Sequence, residues 1–121
     1  MGWSKDWLPE LTESTIASTK ISPDASSQTG LSIGTPVIAG GGDQAAQAVG
    51  CGIVQEGMVS ATLGTSGVVF AQSDQYRVEP EGKLHAFCHA VPGKWHLMGV
   101  MLSAAGSFQW YKNNLGREEQ S

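Results

Sequence analysis

Charge is sparse in this sequence. Lys and Arg number seven against eleven Asp and Glu, charged residues fill 15% of the 121 positions, and the formal net charge is −4. The few cations are scattered and form no stripe, which argues against a nucleic-acid partner. Long apolar runs are missing too. The longest, Leu97 to Ala105, is well short of the roughly 20 residues that cross a bilayer as a helix, so no membrane span is expected. Met1 is followed by Gly2, Trp3, Ser4, Lys5 and Asp6, without the charged-then-apolar pattern of a signal peptide. Two cysteines, Cys51 and Cys88, are too few for a disulfide framework, and a reducing, cytoplasmic compartment is the expectation. Hydrophobic residues at 40% are too many for a disordered chain, and the length suits one small domain.

What the sequence has in excess is glycine. Sixteen of them is nearly twice the average usage of about 7%, and Gly40, Gly41, Gly42, Gly50, Gly52, Gly57, Gly64 and Gly67 crowd the middle. Glycine serves where backbone turns sharply or approaches something closely. A series of ordinary turns would use it as well.

The first 35 residues are polar and lack a strong period. Trp3, Trp7 and Leu8 suggest an anchored short helix. Ser22 and Pro23 predict the start of another, as N-cap and first residue, with Gly30 as its stop. Pro36 to Ala39 reads as a short strand running into Gly40-Gly41-Gly42. Asp43 then falls where a helix N-cap belongs, before the strong helix former Gln44 to Val49. Met58 to Leu63 and Val68 to Ala71 predict two strands joined by Gly64-Thr65-Ser66-Gly67. A loop with Asp74, Pro80, Glu81 and Gly82 follows. Leu84 to Val91 and Trp95 to Met101 are further strands, turning at Pro92-Gly93. Met101, Ala104, Ala105, Phe108, Tyr111 and Leu115 recur at helical spacing, with Gly116 closing that helix. Strands followed by a helix point to a layered α+β or α/β fold, and no internal repeat is present.

Two glycine segments could carry chemistry. In Gly40-Gly41-Gly42-Asp43-Gln44, the helix dipole favours an ionised carboxylate, and the glycines leave room for a small substrate. An ionised Asp beside open space can accept a proton from an attacking hydroxyl. A cap with a tight glycine turn would use the same residues. In Leu63-Gly64-Thr65-Ser66-Gly67, two hydroxyls and exposed N–H groups could form an anion-binding concavity, or the segment is a plain hairpin turn. It is not a nucleophile elbow, because the glycines are misplaced for Gly-x-Ser-x-Gly. No Walker loop is present, since Gly82-Lys83 and Gly93-Lys94 precede Leu84 and Trp95 where Ser or Thr is needed. His85, Cys88, His89 and His96 are potential zinc ligands. On a strand, however, His85 and His89 share one face and Cys88 the other. Cys88 reads better as a small core residue, and no metal site is expected.

Both glycine segments, in this order and spacing, resemble the FGGY family of carbohydrate kinases. The matching stretch runs from about Leu31 to Gly116. Gly34 to Ala46 is similar to the substrate-side motif, and Thr62 to Val68 to the phosphate loop. Phe87-Cys88-His89-Ala90 and Ser103-Ala104-Ala105-Gly106 also look typical of the family's branch that acts on xylulose.

The resemblance implies an α/β fold: a fragment of an actin-like (ribonuclease H-like) sugar kinase, a mixed sheet with flanking helices. Residues 1–55 would be the tail of the first, sugar-binding domain and residues 56–121 the start of the second, nucleotide-binding domain. The implied activity is ATP-dependent phosphorylation of a ketopentose, D-xylulose foremost, to the 5-phosphate, with Mg2+. Gluconate, ribulose or glycerol are alternative substrates within the family, and a non-catalytic binding module of the same fold is the alternative outside it. Asp43 falls on the catalytic base, with Gly42 and Gln44 beside it on the sugar side. Gly64, Thr65 and Ser66 fall on the loop contacting nucleotide phosphates, and Gln109 near a helix position that approaches the nucleotide. The family's N-terminal phosphate and metal loop and its adenosine segment have no counterpart in these residues. The chain by itself is therefore expected to be inactive. Apolar faces left without partners would favour homo-oligomers.

Overall fold

The computed structural model describes residues 4–116. Trp3, one of the proposed anchors of the first helix, lies outside them. Trp7 ends a single 3-10 turn, Lys5–Trp7, capped by Ser4, whose hydroxyl accepts the N–H of Asp6.

Strand β1, Ala17–Lys20, pairs antiparallel with β2, Pro36–Ile38, around helix α1, Pro23–Thr29. The helix is built as its sequence predicts. Ser22 accepts the N–H of Ala25 at 3.2 Å, Pro23 opens the first turn, and Gly30 ends it in the left-handed region at φ 75°. β1 carries no sequence signal: Ala17-Ser18-Thr19-Lys20 is exposed throughout, so no alternation marks it.

Helix α2, Asp43–Gly50, follows the glycine run. Its end is a Schellman closure. Gly52, at φ 74°, donates its N–H to the Val49 carbonyl, and Ile53 donates to Ala48 at 2.8 Å, satisfying carbonyls the helix leaves open.

The main sheet is four-stranded: β3 (Val59–Leu63), β4 (Gly67–Ser73), β5 (His85–Cys88) and β6 (Trp95–Met101), in the order β3-β4-β6-β5. Leu63 pairs with Gly67 across the predicted turn, Phe70 with Met98, Gln72 with His96, and Phe87 with His96. The expected α/β fold class stands. The expected mixed sheet, however, is antiparallel in every pairing among the described residues. Parallel neighbours need a crossover of a dozen or more residues, and the β3–β4 and β5–β6 connections are tight. Between β5 and β6 the N–H of Lys94 returns to the Val91 carbonyl at 3.1 Å, with Gly93 at φ 72°. That is a type II turn with Pro92 at its first corner. Outside the sheet, Asp74 accepts from Lys94 and from Gln72, and these two partners, Lys94 foremost, hold its carboxyl below the usual value.

Helix α3, Ala105–Asn114, completes the order. Of its predicted apolar face, Met101 belongs to β6, Ala104 and Leu115 flank the helix as its caps, and Phe108, Tyr111 and Leu115 are left exposed. The core is correspondingly small. Among the described residues the buried apolar side chains are Ala45, Ala48 and Phe70, joined by buried Gln72, Ser73, His89 and His96. Phe70 stacks on the His96 ring at 4.3 Å and meets His89 edge-on at 5.6 Å. Cys88 is exposed, not the core residue its size suggested, because it ends the short outer strand β5, where neighbours are few.

Candidate active site

Gly42, not Asp43, holds the N-cap position of α2, and no side chain caps this helix. Asp43 is the first helical residue. Its Oδ1 accepts the N–H of Gln44 at 2.8 Å, and the side chain is exposed. The expectation that Asp43 caps the helix is thereby corrected: the extended backbone at Gly42 (ψ 149°) makes Gly42 the last residue outside the helix, so the helix starts one residue earlier than expected. Two glycines before it serve different needs. Gly40 adopts φ 74°, a conformation that L side chains rarely take, whereas Gly41 makes room, since a Cβ there would stand 2.9 Å from the Ala90 Cβ. At Gly42 nothing lies within 4 Å, so the approach to Asp43 is open.

Asp43 lines a hollow of about 480 Å³ with Gly42, Gln44 and Ala45 on one wall and Phe87, Cys88, His96 and Met98 on the other. This volume falls within the range of small-molecule sites. The three residues expected on the sugar side are thus together, and the sheet supplies a wall that sequence reading did not assign. His96 is 4% exposed. Its imidazole is held below its ordinary pKa first by burial and next by the neighbouring His89, against a weaker opposing contact with the Cys88 backbone.

Gly64, Thr65 and Ser66 form the β3–β4 turn and are exposed. Neither hydroxyl has a hydrogen-bond partner among the described residues, so both fit contact with phosphate oxygens. The turn is fastened to α3: the N–H groups of Ala104 and Gly106 donate to the Thr65 carbonyl at 2.8 and 3.2 Å, and Ala105 donates to Gly64 at 3.0 Å. Gly106 permits this closeness, because a Cβ on it would lie 3.1 Å from the Thr65 oxygen. Gln109 lies on the same helix and donates to Asn113 at 2.9 Å. The turn and α3 therefore form one unit, while Asp43 belongs to another. Of the sheet residues lining the hollow, Met98 lies nearest the turn; it pairs with Phe70, which is three steps along β4 from Gly67, about 10 Å of strand. Among the described residues no three His, Cys, Asp or Glu side chains converge on a metal position. These residues alone do not make a Mg2+ site.

The fold is that of actin-like sugar kinases, and comparison with known proteins narrows the class. A xyloylose kinase structure from Brucella ovis superposes with a TM-score of 0.80 and 42% identity, covering 89% of this chain and 22% of that one. Xylulose kinase from Rhodospirillum rubrum superposes at 0.84 with 26% identity, covering 93% of this chain and 23% of its own. In sequence, the xylulose kinase of Escherichia coli (strain K12) is 46% identical over 107 residues, 88% of this chain. No family model matches. The chain is thus related to carbohydrate kinases, as its motifs suggested, and in particular to one segment of xylulose kinases. It spans about 22% of the length of the curated relatives it matches.

Proposed function

We propose that this chain is the segment of an ATP-dependent sugar kinase that joins the sugar site to the nucleotide site, and that the kinase phosphorylates D-xylulose at its 5-hydroxyl. The observation that carries the reading is Asp43: exposed at the start of α2, flanked by glycine, and lining a hollow of about 480 Å³, within a chain 46% identical to a xylulose kinase over 107 residues. Asp43 accepts the proton of the attacking sugar hydroxyl, while Gly42 and Gln44 contact the sugar. Gly64, Thr65 and Ser66 meet the phosphates of ATP, and Gln109 approaches the nucleotide. Residues 1–55 close the sugar-binding domain and residues 56–121 begin the nucleotide-binding one. Mg2+ neutralises charge on the phosphates and is held by residues other than the described ones.

The small core and the uncovered faces of α3 and the sheet support assignment to part of a larger assembly. They also favour self-association of the chain on its own. In a full-length kinase carrying this segment, Asp43→Asn should abolish most turnover while xylulose and ATP still bind. Retained turnover overturns the reading.

A further inference from the structure

α2 buries only Ala45 and Ala48, so whatever fixes this helix governs where Asp43 stands. Both ends of α2 are gripped by one stretch of chain, His89-Ala90-Val91, which leads from β5 into the turn at residues 91–94. At the C-terminal end, Ile53 is the closing residue of the Schellman motif, and its carbonyl accepts the Nε2–H of His89 at 3.1 Å. At the N-terminal end, Gly41 lies against Ala90, with no room for a Cβ.

His89 is itself firmly held. Its Nδ1 accepts the N–H of Val91 at 3.0 Å, and its ring is 4% exposed and set edge-on against Phe70. An imidazole whose Nδ1 accepts carries its proton on Nε2, which makes Nε2 the donor that Ile53 requires. One neutral tautomer satisfies both contacts at once, and they join backbone 36 residues apart.

The geometry points to His89 as the positioning residue for Asp43: together with the Gly41–Ala90 contact it clamps α2 at both ends and sets the carboxylate against the wall of the hollow. The inference rests on the reading of Asp43 as the base. α2 is only about 12 Å long, so release of one end shifts the other, and a misplacement of about 1 Å can cost about 10²-fold in rate. Being a spacer in the core would need the volume of the ring and not its nitrogens, and this separates the two roles.

The test compares three variants by amide hydrogen exchange in the 121-residue chain and by kinetics in a full-length kinase carrying it. His89→Phe keeps the ring and removes both nitrogens; His89→Gln keeps an N–H within reach of Ile53. With His89→Phe, exchange at Ala46, Cys51 and Ile53 should rise by about tenfold or more while the β4–β6 amides hold, and His89→Gln should restore protection to within about twofold. In the kinase, His89→Phe should lower kcat by about tenfold or more with xylulose KM nearly unchanged, and His89→Gln should recover most of it. Unmoved α2 amides in His89→Phe, or sheet and helix loosened alike in both variants, overturn the proposal. Should His89→Phe fail to fold, Gly41→Ala decides: it should speed exchange at Ala46 and, through the short helix, at Ile53 while the β4–β6 amides hold, and no change at Ala46 refutes the clamp. Asp43→Asn serves as the control for the underlying reading. It should cut turnover without altering α2 exchange, so that a wrong base and a wrong clamp give different results.

Discussion

Asp43 Oδ1 accepts the backbone N–H of the next residue, Gln44, at 2.8 Å, while Gly42 occupies the cap position. The carboxylate is therefore tied to the first turn of α2 by one local contact and remains open on its other side. Asn at this position keeps an oxygen to accept the same N–H but has no charge with which to take a proton. In a full-length kinase Asp43→Asn should reduce kcat by about 10² to 10⁴, leave xylulose and ATP affinities close to wild type, and leave the melting temperature nearly unchanged. Turnover above about a tenth of wild type would count against the general-base role.

The 121-residue chain alone should show no ADP release with xylulose, ATP and magnesium. Phosphoryl transfer depends on positioning and charge neutralisation across the whole site, and the described residues supply no metal position. A coupled assay on protein free of host kinase provides the check, with any turnover above background as the contrary result.

Thr65 and Ser66 should act on the nucleotide and not on the sugar. Their hydroxyls are exposed at the β3–β4 turn, whose backbone is held by α3. Thr65→Val with Ser66→Ala should raise the KM for ATP by about tenfold, as expected for the loss of one or two hydrogen bonds to a charged group, with xylulose KM unchanged. An effect on xylulose alone would reassign the turn.

Stability should fall on acidification. His96 is buried and its imidazole titrates below its ordinary value of 6.5, so the unfolded chain takes up this proton before the folded one. Stability from this group is thus intact above about pH 6.5 and decreases as the pH drops from there towards the depressed folded value. The slope for one such proton is at most about 1.4 kcal/mol per pH unit. Urea midpoints between pH 7.5 and 5.5, about one unit either side of the ordinary value, should decline. His96→Phe, which can still stack on Phe70, should flatten the decline. An equal slope in both proteins would exclude His96 as the source.

Local chemistry made much of this fold legible in the sequence. Ser22-Pro23 and Gly30 bound α1 because cap, proline and left-handed glycine act within a few residues, and Gly64 to Ser66 join two strands as their small residues indicate, with Gly67 already the first residue of β4. Asp43 was found as a residue of interest from the glycines beside it. Its place one step inside the helix was not legible, because the torsions of Gly42 decide it and glycine leaves them open. Cys88 looked like a core residue by size alone, but exposure depends on β5 being the outer strand of the sheet. The contact of His89 with Ile53 spans 36 residues, and no local pattern announces it. The available signal was the closeness of His85, His89 and His96 in the sequence.

The fastening of the β3–β4 turn to α3 also decides which way its peptide groups face. The Gly64 and Thr65 carbonyls both point at the first turn of α3, and no peptide bond in the described chain is cis. In a planar trans peptide the N–H lies opposite the carbonyl, so the N–H groups of Thr65 and Ser66 are turned outward, side by side. The helix thereby orients two adjacent donors towards incoming oxygens without offering its own amides, and an anion arriving there would meet a surface preset by its neighbour.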